Sequence, residues 1–192
     1  MSRRLAWAAL LFVAVATPAA AQGSGFAKLI ARLSEGGGYF QSDNLVSNEI
    51  AYLHVLDTFR ERGVKGGAYI GVGPEQSFSY IAEIEPEIAY IIDIRRDNLL
   101  LHLLFKAMFA KARNRLEYLG LLYGRRMPDD LPMWTDLAIT SLVDYIDRTP
   151  FDSTLHAANH EMLLAEVKKY RVPLSDEDRG VMRRFHDEFA RS

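Results

Sequence analysis

Apolar positions along this chain first run together, then recur at helical spacing, then run together again in two short bursts, and finally return to helical spacing. The first run, Leu5 to Ala16, is unbroken. Phe26, Leu29, Ile30 and Leu33 follow at i, i+3, i+4 and i+7, which predicts a short amphipathic helix over 25–34. Gly36-Gly37-Gly38 ends it and opens a polar loop, Gln41-Ser42-Asp43-Asn44. Ser47 then suits the N-cap of a helix over 48–62, with Glu49 favourable near its positive end. Ile50, Leu53, Val55, Leu56 and Phe59 give that helix one broad apolar stripe, and Gly63 is a natural stop.

The bursts come next. Ala68-Tyr69-Ile70 is β-prone and ends in Gly71-Val72-Gly73. Pro74 suits the first position of a helix, because its missing N–H would have no intrahelical partner there. That helix runs to about Glu85 and Pro86 closes it. Ile88 to Ile94 is a second burst, continuous rather than alternating, as expected of a strand buried on both faces. Asp97 or Asn98 can cap a third helix from Leu99 to about Tyr118. Its apolar groups Leu99–Leu101, Leu103–Phe105 and Met108–Phe109 cover most of the circumference, which predicts burial. Strands at roughly 67–73 and 88–94 joined by a helix form a βαβα unit, so they are expected to pair in parallel.

Beyond Gly120 the pattern is helical. Pro128 to Pro132 reads as a loop, Leu137 to Ile146 as a helix, and 154–170 as another with Leu155, Met162, Leu163 and Val167 on its apolar side. Ser175, with Asp178 three residues on, resembles a capping box for a last helix carrying Val181, Met182, Phe185 and Phe189. The fold class is therefore α/β: an incomplete Rossmann-like βαβα unit with a mostly helical C-terminal half, in one domain over 22–192. Two parallel strands are too few for a stable sheet, so the remaining strands are expected beyond Ser192. An open sheet edge invites a protein partner that completes it.

Composition changes this picture in two ways. Arg3 and Arg4 precede the first apolar run, and Thr17-Pro18 and the small residues Ala19-Ala20-Ala21 follow it. That is the form of a cleavable secretory signal over 1–21, with the mature chain starting at Gln22 in the periplasm or medium. The run's 12 residues fall short of the ~20 a membrane span needs. The chain has 23 basic and 25 acidic side chains, and without Arg3 and Arg4 the balance is 21 against 25. Such mild acidity argues against nucleic acid or anionic membrane as a partner. There are no cysteines, which removes disulfides, thiol catalysis and thiolate metal sites.

Candidate chemistry centres on Gly71-x-Gly73. A strand that turns directly into a helix gathers unpaired backbone N–H groups, and glycines let a ligand approach them. Asp93 follows Gly73 by 20 residues, at the expected end of the second strand, where a carboxylate can accept both hydroxyls of an adenosine ribose. Gln76 stands where the dinucleotide fingerprint has its third glycine, and Glu75 puts a negative charge where a pyrophosphate would sit. Both argue against NAD and FAD. A nucleoside ligand without phosphate, such as S-adenosylmethionine, is less affected, and Ile94 would pack on its adenine.

Gly66 to Gln76 with Phe78-Ser79-Tyr80-Ile81-Ala82, Ile91 to Leu100 with Leu103-Leu104-Phe105-Lys106, and the upstream Tyr39 to Leu45 and Glu49 resemble an uncharacterised bacterial family with a methyltransferase-like α/β fold. The similarity covers roughly 36–126. It implies a second half with further strands but no established activity. Compared with S-adenosylmethionine-dependent methyltransferases, Gly71, Gly73 and Asp93 carry over, while the acid usual two residues before the first glycine is Tyr69.

Other residues carry weaker signals. Arg95 and Arg96 can grip an acidic substrate or form solvated salt bridges. Asp43, Asn44 and Asn48 can line the same cleft, or serve as loop and cap residues. His156 and His160 share a helix face at metal-ligand spacing, but a third ligand at motif spacing is lacking, so no metal is expected. His102, among leucines, reads as a core or lid histidine, and Asp129, Asp130, Asp144 and Asp147 as a solvated rim. The chain has no Gly-x-Ser-x-Gly elbow and no P-loop. These residues point to an exported protein with a nucleoside-type pocket formed by Gly71, Gly73, Gln76, Asp93 and Ile94. The alternative is a non-catalytic periplasmic binding or interaction module that keeps the fold without the chemistry.

Overall fold

Two short parallel strands, β1 (Ala68–Val72) and β2 (Ile88–Ile92), pair in register from Ala68 opposite Ile88 to Val72 opposite Ile92. They form the sheet of a computed structural model that describes residues 19–36, 38, 41, 45–47, 51–73 and 75–191. The expected signal core, Asp43, Asn44, Asn48, Glu49, Ile50 and Pro74 lie outside the described residues. Eight helices complete the described fold: α1 (Ala19–Leu33), α2 (Val55–Glu61), α3 (Gln76–Ile84), α4 (Arg96–Lys111), α5 (Arg115–Tyr123), α6 (Ile139–Arg148), α7 (Ser153–Lys169) and α8 (Asp176–Arg191). Short 3-10 turns precede α2 at Tyr52–His54 and α6 at Leu131–Trp134. Among the described residues no helix is long and apolar enough to cross a membrane.

The βαβα unit forms where the two apolar bursts place it. Pro86 disfavours helical geometry in the residue before it, and α3 accordingly stops with Glu85 in the left-handed region, its N–H bonded to the Ile81 carbonyl at 2.9 Å. The α4 helix is the hub of the core. Leu100, Leu101, Leu103, Leu104, Ala107 and Met108 are all at most 1% exposed, so it is buried around most of its circumference as its composition predicts. It packs on Leu163 and Val167 of α7 and on Met182 and Phe185 of α8. A smaller cluster joins Leu116 of α5 to Leu142 and Ile146 of α6.

The C-terminal helix begins as its capping box requires. Asp178 N–H donates to Ser175 Oγ at 3.1 Å, and Ser175 N–H donates to Asp178 Oδ2 at 2.7 Å.

Four expectations are corrected. The strands are not buried on both faces. Ile70, Val72, Ile88 and Ile92 point to one face of the sheet and are 43–70% exposed. The other face carries Tyr69 and Gly71 against α3, where Tyr80 meets Tyr69 with ring centroids 6.5 Å apart. A continuous apolar run cannot say how many layers will cover it.

The helix expected from Leu99 to Tyr118 is two helices that break at Ala112–Asn114. Asn114 is extended, and its side chain accepts the Glu117 N–H at 2.9 Å while Glu117 accepts the Arg113 N–H at 2.6 Å. The α4 helix also starts earlier than expected, at Arg96, so neither Asp97 nor Asn98 is its cap.

Ser47 does not cap a helix over 48–62. Its N–H donates to the Glu75 carboxylate at 2.9–3.0 Å and its hydroxyl pairs with Gln76 Oε1 at 2.8 Å. Regular α-helix begins only at Val55, and α2 buries none of its residues. Finally, the first helix reaches back to Ala19, beyond the amphipathic stretch that predicts it.

Candidate functional site

Parallel pairing sets the C-terminal ends of β1 and β2 side by side, and this brings Gly73 to Asp93. Gly73 sits at φ +76°, and its N–H continues the ladder to the Ile92 carbonyl at 2.9 Å. A Cβ added there would lie 3.5 Å from Asp93 Oδ2, so the carboxylate lies over the glycine turn. The Gly73 carbonyl accepts from Asn98 Nδ2 at 3.0 Å and from His102 Nε2 at 2.8 Å, which assigns the proton of His102 to that nitrogen. Burial pushes His102 below its ordinary pKa against the pull of that carbonyl. Asn98 is 2% exposed, and its Oδ1 is buried without a partner. Neither Asn98 nor His102 was a candidate for the turn: both contacts reach back from α4 across the sheet edge, and no spacing within α4 signals them.

The carboxylate of Asp93 is already engaged. Oδ1 accepts the Arg95 N–H at 2.8 Å and Nε at 3.0 Å, and Oδ2 accepts Nη2 at 3.0 Å. Burial disfavours its ionised form, but the Arg95 guanidinium and backbone N–H outweigh this, and its pKa falls below the usual carboxylate value.

Space near the first glycine is filled as well. A Cβ on Gly71 would come within 2.6 Å of the Tyr69 ring and hydroxyl and 2.8 Å of Ser77 Oγ. Gln76 is held by Ser47. Ile94 is 54% exposed, with Gly38 packed across it and the Gly38 N–H bonded to its carbonyl at 3.1 Å. Arg96 turns away from the sheet edge to Asp178, at 2.7 and 2.8 Å, and to the Pro173 carbonyl. Asp43 and Asn44 lie outside the described residues. The structure thus joins Gly73 to Asp93, places Gly71, Gln76 and Ile94 around them, and separates Arg96. As arranged, the Asp93 carboxylate faces Arg95, and the Tyr69 ring and Ser77 Oγ stand beside Gly71.

Two hollows lie elsewhere. One of about 620 Å³ is bounded by Arg96, Asp97, Leu174, Ser175 and Val181, and one of about 420 Å³ by Phe109, Tyr118, Leu119 and Ile139. Neither reaches Gly71, Gly73 or Asp93.

The rim aspartates Asp129, Asp130, Asp144 and Asp147 are exposed as expected. His156 and His160 are buried and meet His186 of α8. Among the described residues no group of three or more histidine or acidic side chains is placed to hold a metal ion.

Architecture and site together define a partial α/β unit, two parallel strands with one face uncovered by the described residues, buttressed by a helical half. Residues 44–127, from before α2 to just beyond α5, match the model of a family described as a domain of unknown function (DUF7790). No curated protein and no solved structure matches the chain.

Proposed function

We propose that this protein is an exported, non-catalytic interaction module that binds a protein partner through the uncovered face of its β1–β2 sheet. The observation that carries this reading is the exposure of Ile70 and Val72, at 70% and 67%, beside Ile88 and Ile92 on the same face. Parallel strands are ordinarily covered on both sides. Burying a valine or isoleucine fully is worth about 1.5–3 kcal/mol, so four of them side by side are a reserve of binding energy. A contiguous apolar patch of this kind marks an interaction surface. The export signal and the commitment of Asp93 to Arg95 both support a binding role over a transferase.

A photoreactive residue at position 72, introduced into the full chain in cells, tests this. A discrete cross-linked protein adduct is expected there and none at the exposed Glu188. Absence of any adduct at 72 would remove the reading.

The competing reading, a nucleoside-binding pocket of the S-adenosylmethionine type, is favoured by one observation, the placement of Asp93 over Gly73 at the strand ends. Calorimetry with S-adenosylmethionine and S-adenosylhomocysteine is expected to show no binding. Binding that weakens roughly ten- to hundredfold in Asp93→Ala would decide for the pocket instead.

A further inference from the structure

Three imidazoles meet where α7 lies against α8. His156, His160 and His186 are 5%, 0% and 0% exposed, and the His156 and His186 ring centroids are 4.1 Å apart. Their hydrogen bonds fix the protons. His186 Nε2 lies 2.8 Å from the Leu121 carbonyl of α5, which only accepts, so that nitrogen carries hydrogen. In a neutral ring His186 Nδ1 is then a lone pair, and His160 Nδ1–H donates to it across 3.1 Å. His160 Nε2 is left as a buried lone pair without a partner. His156 Nε2–H donates to Asp187 Oδ1 at 2.9 Å, and its Nδ1 is likewise buried without a partner. Proton uptake at His186 Nδ1 would set two N–H groups against each other across 3.1 Å, and uptake at His160 Nε2 would leave a buried cation whose new N–H has no acceptor.

We propose that the His160–His186 pair is an acid-operated latch: proton uptake releases α8 from α5 and α7 and opens the helical half of the protein.

The surroundings offer a new cation little compensation. From α8 the site faces Asp187, already bonded to His156, and Arg183, which pairs with Glu161 of α7 at 2.7 Å. After α5 comes Arg125, whose guanidinium lies 5.6 Å from the Phe151 ring on which His156 also packs. The α4 helix, packed on both α7 and α8, directs Lys106 to the Phe26 and Tyr170 rings and Lys111 to Glu166. Burial, reinforced by Arg183, pushes His160 down to about 4, and burial pushes His186 down to about 4 despite the Leu121 carbonyl.

Exposed histidines titrate near ~6.5. Between that value and about 4 the opened helices bind more protons than the closed ones, so acidification through this window favours opening. Above it the latch is closed and insensitive to pH. Opening uncovers the most deeply buried core, including Met108, Leu163 and Met182.

Hydrogen exchange on the full chain at pH 7.5 and pH 5, corrected for the intrinsic exchange rate, tests the latch. Amides of α7 and α8 are expected to lose at least about thirtyfold in protection at pH 5, more than those of β1, β2 and α3. The variant His160→Leu/His186→Phe is expected to lose most of that difference. Should it not fold, imidazole titration by NMR in the wild type decides: neither His160 nor His186 should titrate near 6.5 in the closed form. Loss of protection spread evenly over the chain, or ordinary titration of both rings, would overturn the proposal. So would stabilisation of the wild type by added Zn²⁺ at pH 7.5 that the double variant lacks, which would make the trio a metal site.

Discussion

Asp93 and Arg95, two residues apart, close on each other through three hydrogen bonds at the end of β2, and this pair occupies the carboxylate that a nucleoside would need. Both side chains are largely buried, at 7% and 16% exposure. Asp93→Ala is therefore expected to destabilise the fold by about 1.5–3 kcal/mol at pH 7. The native pKa of Asp93 is depressed, so its contribution is complete above the unfolded value of about 3.9 and is lost as pH falls through the lower native value. Urea titrations at pH 7 and pH 3 should show the gap between wild type and variant shrinking at the lower pH.

Asp178 serves α8 twice, as the reciprocal partner of Ser175 and as the counter-ion of Arg96. Arg96 is 48% exposed, so solvent screens the ion pair and its share is at most about 1 kcal/mol, beside about 1 kcal/mol for the cap. Thermal unfolding of Asp178→Ala should show a loss near that sum at pH 7. Arg96 holds the Asp178 carboxyl far below the ordinary range, so the loss should persist at pH 4 and fade only in stronger acid.

Gly73 and Gly124 both have positive φ, at +76° and +63°, but they differ in surroundings. Among the described residues a Cβ at 73 meets only Asp93 Oδ2, at 3.5 Å, whereas at 124 it meets Phe151 at 2.8 Å and His156 at 3.0–3.1 Å. Gly73→Ala should cost about 1–2 kcal/mol of backbone strain. Gly124→Ala should cost more, because the strain and the overlap add. Equal midpoints for the two variants in urea would refute this account of Gly124.

Asn114 and Glu117 together cap α5 at the break after α4. Asn114→Ala removes the acceptor for the Glu117 N–H and is expected to cost about 1 kcal/mol, while Asn114→Asp should restore most of it. Equal melting temperatures for the alanine and aspartate variants would show that the cap does not set the break.

Export, if it occurs as the first 21 residues imply, leaves Gln22 as the mature N-terminus, three residues into α1. Phe26, the aromatic partner of Tyr170, would remain in place. N-terminal sequencing of native material that returned Met1 or Ser2 would exclude cleavage.

Local features were legible in the residues themselves. The Ser175–Asp178 box, the stop before Pro86, the two parallel strands and the burial of α4 follow from spacing, side-chain chemistry and conformational preference along nearby stretches of chain. The meeting of Gly73 with Asp93 was legible too, because parallel pairing sends both strand ends to one edge. Asn114 and Glu117 carry the same capping signal as Ser175 and Asp178. Apolar residues continue from Met108–Phe109 to Leu116 and Tyr118 and hide it, since periodicity alone does not register a three-residue break.

What lay beyond the pattern is decided by elements far apart in the chain. A continuous apolar run such as Ile88–Ile92 states that a strand is apolar, and only the number of packed layers decides whether both its faces are covered. The carboxylate at position 93 was correctly set at the sheet edge, but a backbone turn of two residues and a side-chain rotamer gave it to Arg95. His156 and His160 could be placed on one helix face from their spacing. Their burial depends on His186, 26 residues beyond His160, which is itself held by a carbonyl of α5. The sequence by itself determined the two strands, the stop before Pro86 and the cap of α8, because those choices cost and repay free energy locally. Only the tertiary structure decided which polar groups are paired, which apolar face is left open and which histidines lose water, because desolvation depends on everything that packs around a group.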